Sequence, residues 1–375
     1  MIKNVLGIIM NVNSTNNLGE LAGHRTISAI PFGGRYRVID FMLSSMVNSS
    51  ISNVGLVMQE KYQSLMDHIG TGKDWDLARK NGGLVLLPPY SYSYNALPSI
   101  RKQYLGSMDA ICGIVDFLYK SKCEYVVLAD GDIIGNIELD KVVKFHIDSE
   151  VDVTAVCTQD IKKDSGIYFS LNRRKMVSNV CINSSENSSC SYNSIGIYVM
   201  KKSYLEDLIN YSLSHNLRSF EYEVLLKIFE DGRMNAYVFD KYAVKIKNIK
   251  NYFDANMDLL SKDIRDEIFL KDRPIYTKVH NEEPTHYSNN ANVQESLIAD
   301  GCKIAGNIER SVIFRNVIVE KEANIKDCII MQNGIIKSKA NISYIIADKN
   351  VIIEENRTML GNDTYPVYIS RNSIV

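Results

Sequence analysis

The chain has 375 residues, 45% hydrophobic and 23% charged, with a formal net charge of −1. That length suits two domains, that composition excludes a disordered chain, and the near-neutral charge removes the bulk attraction on which nucleic-acid binding relies. No run approaches the roughly 18 unbroken apolar residues of a membrane helix, and the seven scattered cysteines, without CxxC or zinc spacing, are expected as buried reduced thiols of a cytoplasmic protein.

Residues 1–260 alternate strand-like and helical stretches. The N-terminal MIKNVLGIIMNV lacks a small-residue cleavage site and is expected as a first strand, not a signal peptide. VLGIIMNV (5–12), VGLVM (54–58), LVLLP (84–88), YVVLA (125–129), VDVTAVCT (151–158), SIGIYVM (194–200) and NAYVFD (235–240) are short and rich in β-branched residues. Such runs suit strands covered on both faces. Between them, Met108–Lys120 has apolar residues at 108, 111, 112, 115, 118 and 119, a helical spacing. Tyr204–Ser212 and Phe220–Phe229 are similar. The alternation predicts a mostly parallel, doubly wound α/β sheet. Ligands bind such sheets at strand carboxyl ends, here the loops after Val12, Met58 and Ala129.

The first of these loops, Asn11-Val12-Asn13-Ser14-Thr15-Asn16-Asn17-Leu18, carries asparagine where a phosphate-cradling loop needs glycine. In PFGGRYRVIDF (31–41), Gly33 and Gly34 permit positive φ, and Arg35 and Arg37 are candidates to face phosphates. In QYLGSMDAI (103–111), Tyr104 and Gly106 precede a helix for which Ser107 is the expected N-cap and Asp109 a first-turn acid. YVVLADGDIIGNIEL (125–139) ends a strand in Asp130 and Asp132, either Mg²⁺ ligands or turn-forming acids. No two of the six histidines are an i, i+4 pair; His68 and His146 are expected as ordinary helix or surface residues, and Trp75 as a packing residue.

Residues 263–290 are polar, with Pro274 and Pro284, and are expected as a linker between domains 1–262 and 291–375. Beyond it, Ile298 and Ile304 are six apart; Val312, Ile318, Ile330, Ile336 and Ile342 share one six-residue phase; and Ile346 and Ile352 begin another. A period of six fits a hexapeptide β-helix.

Together, PFGGRYRVIDF, MQEKYQSLMDHI (58–69), YLGSMDA (104–110), VLADGD (127–132), SIGIYVM, YFDANMDLL (252–260) and the hexapeptide repeats resemble ADP-glucose pyrophosphorylases (glucose-1-phosphate adenylyltransferases). The resemblance implies a Rossmann-like nucleotidyltransferase domain followed by a left-handed β-helix that makes subunit contacts. In that family ATP and glucose 1-phosphate give ADP-glucose and pyrophosphate with Mg²⁺, for bacterial glycogen synthesis. It places Asp132 at a metal position, Tyr104 and Ser194 at sugar-phosphate contacts, and Gly33, Gly34, Gln59 and Gly106 among substrate-binding positions.

The sequence departs from that family where charge is needed. The loop glycines are gone, the family's RAKP lysine is Ile27, and its FVEKP segment has no equivalent in 175–191. Its second metal-binding aspartate falls on Lys245, whose ammonium cannot ligate Mg²⁺. Removing one preorganised electrostatic group costs about 10²–10³ in rate, so substantial turnover by the isolated chain is not expected. The pattern is similar to the noncatalytic paralogue of some Gram-positive bacteria. It implies a regulatory subunit of a hetero-oligomer, a tetramer with a catalytic subunit, or self-association, with a sugar-phosphate effector and no bound Mg²⁺ of its own. The alternative is an active adenylyltransferase or related sugar-nucleotide transferase. An acyltransferase is disfavoured because the last histidine, His286, precedes the repeats. Lys245 is expected either near Asp132, standing in for the missing cation, or as a solvated surface residue.

Overall fold

In the computed structural model, which describes residues 4–12, 16–89, 104–159, 166–182 and 190–375, all seven strand-like runs of the first 260 residues form strands. Apart from the short hairpin Pro31–Phe32/Tyr36–Arg37, the strands of this part are, in chain order, β1 (Val5–Asn11), β2 (Asn53–Met58), β3 (Gly83–Leu87), β4 (Tyr125–Asp130), β5 (Ile133–Gly135), β6 (Val153–Gln159), β7 (Ile167–Leu171), β8 (Val177–Ile182), β9 (Tyr192–Lys201), β10 (Met234–Phe239) and β11 (Ala243–Lys245). Nine of them build one sheet in the order β8-β7-β9-β4-β1-β2-β3, with β6 paired to β9 and β10 to β6. β4, β1, β2 and β3 run parallel, whereas β9 runs antiparallel to β4 and to β6. The sheet is mixed and mostly parallel. Leu6, Ile8, Val126, Leu128, Ala155 and Met200 enter its core, which is why these strands read as unbroken apolar runs.

Two local expectations are corrected. The Met108–Lys120 periodicity spans two helices, Ser107–Gly113 and Val115–Lys120, separated at Ile114. Ser107 does not cap the first of them: its Oγ accepts the Phe220 N–H at 2.9 Å, and Gly106 occupies the cap position. His68 and His146 are helix residues, on Gln63–Ile69 and Leu139–Ser149, and both are buried. His146 Nδ1 lies 2.9 Å from Thr154 Oγ1, and burial, with Lys201 nearby, depresses its pKa to about 4. His68 meets the wholly buried Trp75 edge-on, with ring centroids 5.6 Å apart, so Trp75 is a packing residue. The cysteines are corrected too: Cys181 and Cys190 form a disulfide, and the other five are free.

The chain divides into two compact units that do not follow chain order. The first holds 1–14, 41–245 and 271–276; the second holds 15–40, 246–270 and 277–375. In the second, three five-stranded parallel sheets wrap into a left-handed β-helix. Its interior is filled by Ile313, Val319, Ile325, Ile330, Ile336, Ile342, Ala347 and Ile353. These are not in one six-residue phase. From Asn307 to Thr358 successive coils pair with a 17-residue offset, as in Asn307↔Asn324↔Asn341, against 15 for Asn292↔Asn307 and 22 for Ile345↔Val367. One corner per coil is shorter by a residue and is turned by Arg310, Asp327 or Tyr344 with positive φ. Val312 and Ile318 therefore fall one position before the interior residues Ile313 and Val319, and Ile346 and Ile352 one before Ala347 and Ile353.

Candidate functional site

In the first unit the geometry converges where β4 ends. Gly131 N–H donates to Met10 O at 2.8 Å, tying the end of β4 to β1. Beyond that turn, β5 pairs antiparallel with β11, and Lys245 stands opposite Ile133. This pairing delivers the Lys245 side chain to the strand end. Its ammonium donates to Asp130 Oδ2 at 2.5 Å and to Glu221 Oε1 at 3.4 Å. All three side chains are largely withdrawn from water, with exposures of 12%, 13% and 24%. Glu221 comes from Phe220–Val224, a single π-helical turn; such turns are rare and often mark functional sites.

Asp132 is buried and acts on Lys245 electrostatically, but the direct partners of the ammonium are Asp130 and Glu221. The ammonium expected near Asp132 is bonded instead to Asp130 and Glu221, and it is not a solvated surface lysine. Burial opposes the charge on Lys245, yet Asp130, Glu221 and Asp132 outweigh it and hold its pKa well above the ordinary value. Three carboxylates share one cation. Burial, Glu221 and Asp132 push the Asp130 carboxyl up, and the bonded Lys245 ammonium pulls it back down.

A bulge makes room for the pair. Between Ser194 and Ile197 the register of β9 against β6 shifts, and Gly196 takes φ +79°. A Cβ there would sit 2.2 Å from Asp130 Oδ2 and 3.2 Å from Lys245 Nζ. Ser194 Oγ lies 3.1 Å from the hydroxyl of the buried Tyr198, whose ring packs against Phe220. Burial and the nearby Glu221 push the Tyr198 phenol well above its ordinary pKa. Ser194, Tyr198, Asp130, Lys245 and Glu221 therefore form one cluster.

The other expected positions of this unit lie around Tyr104. Gln59 Nε2 donates to the Tyr104 carbonyl at 3.2 Å. Gly106 is extended, and a Cβ on it would come within 2.3 Å of Arg218 O. Burial and Asp109 push the Tyr104 phenol up to about 12, so it is a neutral hydroxyl at physiological pH. Asp109 sits in the first helical turn and accepts the Leu105 N–H at 2.9 Å.

Gly33, Gly34 and Ile27 belong to the second unit. Gly33 and Gly34 adopt φ +58° and +81° at the tip of the hairpin Pro31–Phe32/Tyr36–Arg37, and Gly33 N–H donates to Asn256 Oδ1 at 3.0 Å. Ile27 is buried. Arg35 is exposed beside the Tyr36 ring. Arg25 is buried and pairs with Asp348, which also accepts the Tyr368 hydroxyl at 2.6 Å. Beside them lies Lys349, whose pKa is lowered to about 7 by burial and by the guanidinium charges of Arg37, Arg25 and Arg371. Sequence reasoning singled out neither Lys349 nor Glu221. Positions 13–15 of the first loop lie outside the described residues, as do 183–189 of the 175–191 segment.

The nucleotidyl transferase family pattern matches residues 6–262, and a GlmU-like C-terminal hexapeptide pattern matches 278–366. The chain belongs to the glucose-1-phosphate adenylyltransferase family of nucleotidyl transferases. It is 32% identical to the glycogen biosynthesis protein GlgD of Bacillus subtilis, over 84% of this chain and 81% of the relative. It is 33% identical to GlgD of Geobacillus stearothermophilus, over 86% and 83%. It is 35% identical to the glucose-1-phosphate adenylyltransferase of Bacillus mycoides, over 82% and 81%. Nucleotidyl transferases of this family commonly use Mg²⁺, a hard cation that takes oxygen donors. The cluster at the end of β4 does not fit that ion, because an ammonium already bridges Asp130 and Glu221. Among the described residues no group of three acidic, His or Cys side chains is arranged to hold a metal ion.

Proposed function

We propose that this chain is a regulatory subunit of a glucose-1-phosphate adenylyltransferase in cytoplasmic glycogen biosynthesis, with little or no turnover of its own. The observation that carries the reading is Lys245 bonded to Asp130 and Glu221. Nucleotidyl transfer depends on charge stabilisation of the phosphates by metal and cationic groups. A lysine bonded to Asp130 and Glu221 occupies the carboxylate oxygens and the place that a divalent ion would need. The hydroxyls of Ser194 and Tyr104 remain as hydrogen-bonding groups for a sugar, and the two GlgD relatives fit a role in glycogen synthesis.

Regulation requires a second state that the chain biases in its partner. The partner is a catalytic subunit of the same family, in a hetero-oligomer read as a tetramer. The cluster of Lys349 with Arg25, Arg37 and Arg371 supports an anionic effector such as a sugar phosphate, because a half-neutral lysine among guanidinium groups gains charge when an anion arrives. The test is to add the purified chain to a catalytic subunit of the family. A changed kcat, substrate affinity or effector response is expected; no change in any of the three overturns the reading.

A further inference from the structure

We propose that Cys181 and Cys190 form a reversible redox modification site, opened and closed by thiol–disulfide exchange with low-molecular-weight thiols at the Cys181 sulfur. The fold brings the two together. β7 lies between β8 and β9, and both cysteines are anchored to it: Cys181 of β8 stands opposite Tyr168, and Ser191, next to Cys190, donates its N–H to Phe169 O at 3.1 Å. Their Cα atoms are 6.4 Å apart, within the span a disulfide bridges.

The two sulfurs are inequivalent. Cys190 is wholly buried, whereas Cys181 is partly exposed on β8, an edge strand of the sheet. Asn179 Nδ2 donates to Cys181 Sγ at 3.6 Å, and Ser170 Oγ donates to Cys190 Sγ at 3.5 Å. An incoming thiolate reaches Cys181 and not Cys190. Its sulfur bonds to Cys181 Sγ, the Cys181–Cys190 bond breaks, and Cys190 leaves as a thiolate that accepts the Ser170 hydroxyl and then a proton from water. A second small thiolate attacks the reagent's sulfur in the mixed disulfide, releasing a small disulfide and the Cys181 thiolate, which is protonated in turn. Two small thiols are oxidised as the protein disulfide is reduced, and a small disulfide drives the reverse. The free Cys112, Cys157 and Cys328 do not compete, because burial pushes their thiols up to about 12 and leaves little thiolate.

The bond ties the edge strand β8 to the chain entering β9, four residues before Ser194, so its state sets how firmly that edge is held. The test titrates the full-length native chain with reduced and oxidised glutathione, quenches with an alkylating reagent and maps the cysteines by peptide mass spectrometry. The pair is expected to interconvert without denaturant while the other five cysteines stay unmodified. Glutathione should be trapped on Cys181 in Cys190→Ser but not on Cys190 in Cys181→Ser. Amide exchange across 177–182 should rise roughly tenfold on reduction. A bond that opens only in denaturant, a pair fully reduced at every ratio, or equal trapping on both sulfurs overturns the proposal; the wild-type titration decides even if a variant fails to fold.

Discussion

Lys245 Nζ sits 2.5 Å from Asp130 Oδ2, with both side chains almost excluded from water. Removing one partner of such a pair strands the other charge, which costs about 3–5 kcal/mol in comparable buried cases. Lys245→Met is therefore expected to lower the unfolding free energy by about 3 kcal/mol, measured by urea titration. Adding Asp130→Asn should return part of the loss. Lys245→Asp replaces the cation by an oxygen donor, so millimolar Mg²⁺ or Mn²⁺ should raise the Tm of that variant by ~2–4 °C and leave the native chain unchanged.

Gly196 tests whether the bulge in β9 exists to admit this pair. At φ +79° any side chain is strained, and a Cβ meets the Asp130 carboxylate. Gly196→Ala should cost about 2 kcal/mol or more, against a few tenths for an alanine at an open glycine. A neutral result would mean that Asp130 does not approach this backbone.

His146 gives a pH dependence of known sign. Its folded pKa, about 4, lies below the ordinary histidine value of 6.5. Above pH 6.5 both folded and unfolded chains are neutral there, and the full stability is present. As pH falls from 6.5 towards 4 only the unfolded chain takes up the proton, so stability is lost, by up to about 3 kcal/mol. Thermal melts at pH 7 and pH 5 should show the loss, and His146→Gln should flatten it.

Lys349 makes a signed prediction for the effector. Because its pKa lies near 7 in the free protein, a phosphate-bearing ligand raises that pKa and binding takes up a proton near pH 8. Calorimetry in two buffers of different ionisation enthalpy should detect the uptake, weaker binding as pH rises, and loss of both in Lys349→Met.

The buried strands and the β-helix were legible because each expresses one rule, apolar runs for doubly covered strands and a short repeat for the coil. β7 and β8 were not, since β8 is half exposed at the sheet edge and mixes polar residues without alternation. The repeat misled by one residue per coil, because corner length is set by backbone turns at Arg310, Asp327 and Tyr344, which share no residue type. At the site, the alignment of motifs located Lys245 but not its partner. Which carboxylate it meets depends on the pairing of β11 with β5 and on a π-helical turn more than 20 residues away in sequence, the Glu221–Lys245 separation being 24. The Cys181–Cys190 pair escaped because cysteine spacing alone does not reveal that two strands share a neighbour.

The most direct test of the central claim is pyrophosphate release by the purified chain alone, supplied with ATP, glucose 1-phosphate and Mg²⁺. A rate at least about 10³-fold below that of a catalytic relative is predicted, since several electrostatic contributors are absent together. ADP-glucose formed by the isolated chain at a rate typical of its active relatives would contradict it.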